Sequence, residues 1–187
     1  GTPAGYCVTL KDTRSDVEIF SWKTELDYVT SINSRFLDGY CYTILKDKEE
    51  HRYLYSYALR YQYGWESIVK NKKYSLEKAT DLDKAKFFGA SAQRTYLIYA
   101  TGSKLYAYDY VAETTKVLED LGDQEITLLH YDILIDTGTN DDFFYLGTYD
   151  PSQPKETGGT LTRYRVVNDP NNILVEKVPG FSWSGLC

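Results

Sequence analysis

The sequence predicts an all-β protein of antiparallel, β-propeller-like blades, a partial propeller or a fragment of one, with little helix. Three observations carry that reading. Strand, turn and returning strand recur as a block, with Tyr53 to Tyr96 spanning 43 residues and Tyr96 to Tyr145 spanning 49. Units of three or four antiparallel strands at roughly 40–50 residues are the mark of propeller blades. The composition, with 19 Tyr, 7 Phe, 3 Trp and no Met, suits pleated, half-buried strands. The third observation is alternation. In Lys104–Tyr110, Leu105, Ala107 and Asp109 face one way and Tyr106, Tyr108 and Tyr110 the other. A β-sandwich also takes regularly spaced strands. The propeller is preferred because the strand order repeats as a block.

Residues 1–38 are irregular and read as a degenerate or partial blade. Blade-like repeats follow at 39–85, 86–130 and 131–180, and 181–187 reads as the start of a further strand. In the first repeat, strands at Gly39–Leu45 and Arg52–Tyr63 flank the charged turn Asp47-Lys48-Glu49-Glu50. Leu76, Ala79, Leu82 and Ala85 recur at helical spacing, which predicts a short helical turn between Leu76 and Lys86. In the second repeat, Thr95–Ala100 and Lys104–Tyr110 flank Thr101-Gly102-Ser103, a hairpin signal. Thr115–Asp120 adds a strand, and Leu121-Gly122-Asp123 turns into Glu125–Tyr131. In the third, Phe143–Thr148, the polar loop Pro151–Gly159, Thr160–Val167, the turn Asp169–Asn172 and Ile173–Val178 repeat the order. Propellers have about four to eight blades, so three recognisable ones point to a piece of a longer protein.

The chain has 187 residues, enough for one domain with a real core. No apolar run approaches the roughly 18 residues that a membrane-spanning helix needs. The opening Gly1-Thr2-Pro3-Ala4-Gly5 has no initiator Met and reads as a mature or trimmed start, which leaves export open. A net charge of −6 and a pI near 5.0 argue against a nucleic-acid partner. Lys70-Asn71-Lys72-Lys73 does not offset this, because it is short and lies near Glu66 and Glu77. The cysteines are Cys7, Cys41 and Cys187. Cys7 and Cys41 both sit in β-like runs, so a bridge and two buried free thiols are both open. Without a CxxC, and with two His in all, little remains for a zinc site.

Catalytic patterns are weak. A nucleophile elbow needs GxSxG, and neither Gly89-Ala90-Ser91-Ala92 nor Ser182-Trp183-Ser184-Gly185 supplies it. His51 and His130 are the candidate bases and read as ordinary turn or strand-edge residues. Glycoside hydrolysis needs two facing carboxylates. Asp109, Asp132 and Asp136 sit in apolar surroundings but are equally strand-end acids. Asp136-Thr137-Gly138-Thr139-Asn140-Asp141-Asp142 concentrates oxygen ligands, yet it is no EF-hand, because Gly147 stands at position 12. It reads as a hairpin loop. Neither a metal nor a cofactor is expected. In Arg60-Tyr61-Gln62-Tyr63-Gly64-Trp65 the aromatics alternate, so an extended run puts Tyr61, Tyr63 and Trp65 on one face. That row could stack on a glycan or grip a peptide, or pack across strands, although Gly64 can break the strand. Trp22 and Trp183 carry the same two readings.

Lys86–Ser91, Tyr96–Asp109, Glu125-Ile126-Thr127, Gly158-Gly159-Thr160 and Gly180–Gly185 together resemble the C-terminal part of the PKD-like family of Bacteroidetes lipoproteins, over roughly residues 39–187. The resemblance implies a propeller-like region behind PKD- or Ig-like modules, in a lipid-anchored outer-membrane protein. It implies partnership with a SusC/SusD-type nutrient importer and a lipid-bearing Cys upstream of this chain. It brings no catalytic residues. The expected function is therefore a non-enzymatic cell-surface binding or scaffold module for a glycan or peptide. Tyr61, Tyr63 and Trp65 are its candidate ligand residues, and Gln62–Lys73 and Pro151–Gly159 its candidate binding loops. The alternatives are a propeller hydrolase or lyase with catalytic groups partly outside this chain, and a purely structural subunit of a membrane-associated complex.

Overall fold

The structure is a computed structural model and describes residues 6–11, 16, 18–24, 26–33, 40–60, 67–91, 95–132, 142–169 and 172–185. The described residues are all-β apart from one 3₁₀ turn at Leu82–Lys84. Strands β1 (Tyr6–Lys11) and β2 (Glu18–Thr24) form a hairpin. Three four-stranded antiparallel sheets follow. The first holds β3 (Asp27–Asn33), β4 (Tyr40–Lys46), β5 (Arg52–Arg60) and β6 (Ser67–Ser75). The second holds β7 (Phe87–Ala90), β8 (Tyr96–Thr101), β9 (Lys104–Asp109) and β10 (Thr114–Asp120). The third holds β11 (Glu125–Tyr131), β12 (Asp142–Tyr149), β13 (Gly159–Asp169) and β14 (Asn172–Gly185). In each sheet the spatial order follows the chain order. The chain divides after Glu77 into two compact units.

These bounds differ from the repeats read in the sequence. Strand β3 lies within residues 1–38 yet pairs with β4. Strand β11, placed by sequence in the repeat ending at 130, pairs with β12 in the third sheet. Residues 181–185 belong to β14, and Ser182–Gly185 pair again with β13. The Tyr spacing misled in one place. Tyr96 and Tyr145 lie on the second strands of their sheets, whereas Tyr53 lies on a third strand. The segment read as helical is 3₁₀ for three residues only, and Ala85 is already extended. Its periodic Leu76, Ala79 and Leu82 are buried all the same. Half of the expected Gln62–Lys73 loop is strand β6, an edge strand whose exposed lysines suit an edge that must not pair further.

In the first unit, Ile44, Leu45 and Leu54 are fully buried in β4 and β5. The ladders repeat a detail that the sequence hides. Register slips at the third residue of β3, between Tyr28 and Thr30, and at the third residue of β11, between Ile126 and Leu128. Such bulges twist the first strand of a sheet. Leu76 and Leu121, each the first residue after a fourth strand, also match. They donate their backbone N–H to Arg52 O and Ser103 O, at the start of the third strand.

In the second unit, the second and third sheets share one core. Ile98, Ala100, Leu105 and Ala107 meet Ile126, Leu129, Tyr131, Phe144, Leu146, Tyr164, Val166 and Ile173. Much of the tyrosine goes here. Tyr131, Phe144 and Tyr164 stand directly opposite one another across three strands and stack at 6.0 and 5.2 Å. Tyr99 and Tyr106 stack in the same way at 5.3 Å. Each aromatic pair adds about 0.5–1.5 kcal/mol beyond the area it buries. Gly89 exists for Tyr131, because a Cβ there would lie 2.6 Å from that ring. The chain passes from β10 to β11 beneath the β8–β9 turn, where Ile126 N donates to Gly102 O. Two polar ties pin the sheets at opposite margins. Asp142 accepts hydrogen bonds from Ser91 Oγ and from Tyr131 OH, the latter at 3.1 Å. Lys116 Nζ reaches Asn172 Oδ1 and Ile173 O on β14.

Candidate binding surface

The third sheet spends its two faces differently. β12 carries aromatic residues on both, because Phe143-Phe144-Tyr145 alternates against the pleat. Phe144 faces the shared core, while Phe143 and Tyr145 face away from it. On that outer face, His130, Tyr145 and Arg163 form one cross-strand row over β11, β12 and β13. Phe143, Arg165 and Glu176 form the next.

An insertion in β14 completes the surface. β13 pairs with Ser182 at Thr162 and with Lys177 at Tyr164, so Val178–Phe181 stand opposite the single residue Arg163. Gly180 sits at φ +74, a turn-forming conformation that a side chain would resist. The detour brings Phe181 against Tyr145, edge to face at 5.3 Å. Phe181 remains 37 % exposed. His130 leans on the same tyrosine at 6.5 Å and is exposed.

Arg163 is held at the centre. Its guanidinium lies 4.0 Å over Phe143 and 5.8 Å from the Tyr145 ring centroid, within cation–π range. One terminal nitrogen meets Asp132 Oδ2 at 3.4 Å. Its Nε is buried without a hydrogen-bond partner. The face thus presents rings, a donor and an acceptor within one short span.

A second polar constellation lies in the first unit, at the β4–β5 turn. Ligand atoms of Asp47, Glu49 and His51 fall within 4.8 Å of one another, and among the described residues they are the group that could hold a metal. Asp47 is occupied as a turn cap. It accepts from Glu49 N at 3.0 Å, His51 N at 2.9 Å and Tyr53 OH at 3.2 Å. Desolvation raises the Asp47 carboxyl, but the His51 backbone N–H, the His51 ring and the Tyr53 hydroxyl outweigh it and hold the pKa below the ordinary value. His51 Nε2 lies 3.2 Å from Glu77. This signal was readable as Asp47-x-Glu49-x-His51, one face of a charged turn. Nearby, Lys73 Nζ caps the Tyr53 ring at 3.9 Å.

The other residues singled out in the sequence are distributed as follows. Tyr61, Tyr63 and Trp65 lie outside the described residues, as do Asp136–Asp141. The side chains of Cys7, Cys41, Trp22 and Trp183 lie outside them too, while their backbones run in β1, β4, β2 and β14. Asp109 caps the turn after β9, accepting from Val111 N, Ala112 N and Thr95 Oγ1. Asp142 is buried in the sheet interface. Loop 150–158 is a compact turn fixed by Asp150, with Tyr149 OH donating to Gln153 O. Sequence reading missed the Tyr145–Arg163–Phe181 surface, because it depends on a register jump that no local pattern announces. Among the described residues, no helix is long and apolar enough to cross a membrane. Compared with known families and curated proteins, the chain matches no family model and no curated sequence.

Proposed function

We propose that the chain is a non-enzymatic capture module built of propeller-like blades, acting at the bacterial cell surface beside an outer-membrane importer. The blade reading is supported by the second unit. There two four-stranded sheets keep their first strands adjacent, and residues 121–124 cross beneath a hairpin turn to join them. That is how one blade hands the chain to the next. The lipoprotein and importer parts rest on the family resemblance in the sequence.

The observation that carries the binding reading is the outer face of the third sheet, where Phe181 is carried onto Tyr145 beside Arg163 and Asp132. Aromatic and arginine side chains are the usual anchors of binding surfaces. Binding fits the polar inventory better than catalysis. The Ser91–Asp142 pair is buried between sheets, Ser91 at 1 % and Asp142 at 7 % exposure, out of a substrate's reach. His51 is flanked by Asp47 and Glu77.

The test is affinity purification of the full-length protein from its native membrane, with partners identified by mass spectrometry. Co-purification with a SusC/SusD-like transporter is the expected result. Recovery as a free monomer, with a hydrolytic activity on glycans or peptides, would contradict the capture reading.

A further inference from the structure

Resting on that binding reading, we infer that the outer face of the third sheet takes a neutral saccharide, with one sugar ring against Phe181 and Tyr145 and its hydroxyls on Arg163 and Asp132. The charges narrow the ligand. Arg163 faces Asp132 at 3.4 Å, and Arg165 faces Glu176 at 2.7 Å on the same face. Each cation already has its anion. A charged ligand must break one of these pairs or sit beside a like charge, which is unfavourable. A wholly apolar ligand would strip water from the Arg163–Asp132 pair and return no hydrogen bond.

A sugar meets both conditions. Its C–H face is apolar and lies flat on an aromatic ring. Its hydroxyls donate and accept at once, so one can donate to the Asp132 carboxylate while a neighbour accepts from Arg163. The side chains are already ordered for this. Arg163 is stacked over Phe143, and Asp132 is only 16 % exposed, so little rotamer entropy remains to be lost on binding. The insertion Val178–Phe181 supplies the second, independent sign. It interrupts the β13–β14 pairing at Arg163 alone and lifts one aromatic residue onto this spot. Bulges that re-aim a side chain gather beside binding and active sites.

The experiment is calorimetric titration of the protein with short gluco-, manno-, xylo- and N-acetylglucosamine oligosaccharides, with amide chemical shifts followed in parallel. Wild type, Phe181→Ala, Asp132→Asn and Val111→Ala are compared. The expected result is binding of one sugar class that both Phe181→Ala and Asp132→Asn weaken by about tenfold or more, the scale of one lost contact. Val111→Ala, at an exposed position between β9 and β10, should leave it unchanged, with shifts confined to the end of β11 and to β12, β13 and β14. Asp132→Asn keeps the side-chain shape, so a folding defect in one variant does not decide the outcome. Sugar binding that ignores both substitutions overturns this site and leaves the capture function standing. No sugar binding, in a protein that still co-purifies with a transporter, overturns the ligand class alone. Failure of both overturns the site and the function together.

Discussion

In the second sheet β8 turns into β9 through Gly102 and Ser103, whereas in the third β12 and β13 are joined by residues 150–158. In the second, Leu97–Ala100 and Leu105–Tyr108 are buried on both faces. In the third, one face joins the common core and the other carries Leu128, His130 and Phe181 exposed. The two sheets share strand order and a common core, yet the second shifts its ladder by one residue in β10 and the third shifts its own by three in β14. A sheet packed on both sides has room for little more than the one-residue bulge that β10 carries at Leu118, because a misplaced residue reverses every side chain beyond it. A sheet with one free face can vary there without touching the core, and that is where a binding surface can arise.

The largest effect should come from the inner face of the third sheet. Phe144→Ala removes the middle ring of the Tyr131–Phe144–Tyr164 stack at a fully buried site. A loss of about 3–5 kcal/mol is expected in urea unfolding. A loss below about 1 kcal/mol would mean that the two sheets do not share this core. Next comes the tie between the sheets. Asp142→Ala takes the acceptor from two buried hydroxyls and should cost about 1–3 kcal/mol. If Ser91→Ala in the same protein then costs nothing further, the tie is the coupling drawn here.

The regular turn of the second sheet gives a smaller effect. Gly102 sits at φ +55 with open space around its Cα, so Gly102→Val meets backbone strain rather than a clash. About 1–2 kcal/mol should be lost, and an unchanged melting point would contradict the turn.

Alkali separates the same packed layers. Burial is the main cause that raises the Tyr99 phenol in the second sheet, and burial with Glu119 pushes Tyr164 in the third up to about 12. A raised phenol contributes its stability in full below the unfolded value of 10.0 and loses it as pH rises to about 12. Ultraviolet titration of phenolate should therefore show late groups whose ionisation coincides with unfolding. Complete ionisation near the unfolded value, with the fold intact, would place these rings in water.

Sequence made the ladder legible and left the surface illegible. Leu105, Ala107 and Tyr106 alternate as read because a pleated strand forces a two-residue period. Gly102 and Gly122 punctuate turns at the predicted places. The sheet limits were misplaced because a repeat boundary falls in the crossover at 121–124, and Glu125–Tyr131 reads equally well as the end of one block or the start of the next. Residues 67–73 of the expected Gln62–Lys73 loop are strand, and the charge that suggested a loop is what an edge strand carries. Phe181 looked like the start of a new element. Its role depends on pairing with β13 before and after the insertion, which is a tertiary fact.

The central claim is that the outer face of the third sheet is kept for a ligand and is not core. Equilibrium urea unfolding of Phe181→Ala beside wild type tests this most directly. The account predicts a loss of about 0.5–1.5 kcal/mol, the scale of the one edge-to-face contact with Tyr145, where Phe144→Ala loses several. A loss from Phe181→Ala as large as that from Phe144→Ala would show that both faces hold the fold together, and the binding surface would have to be sought elsewhere.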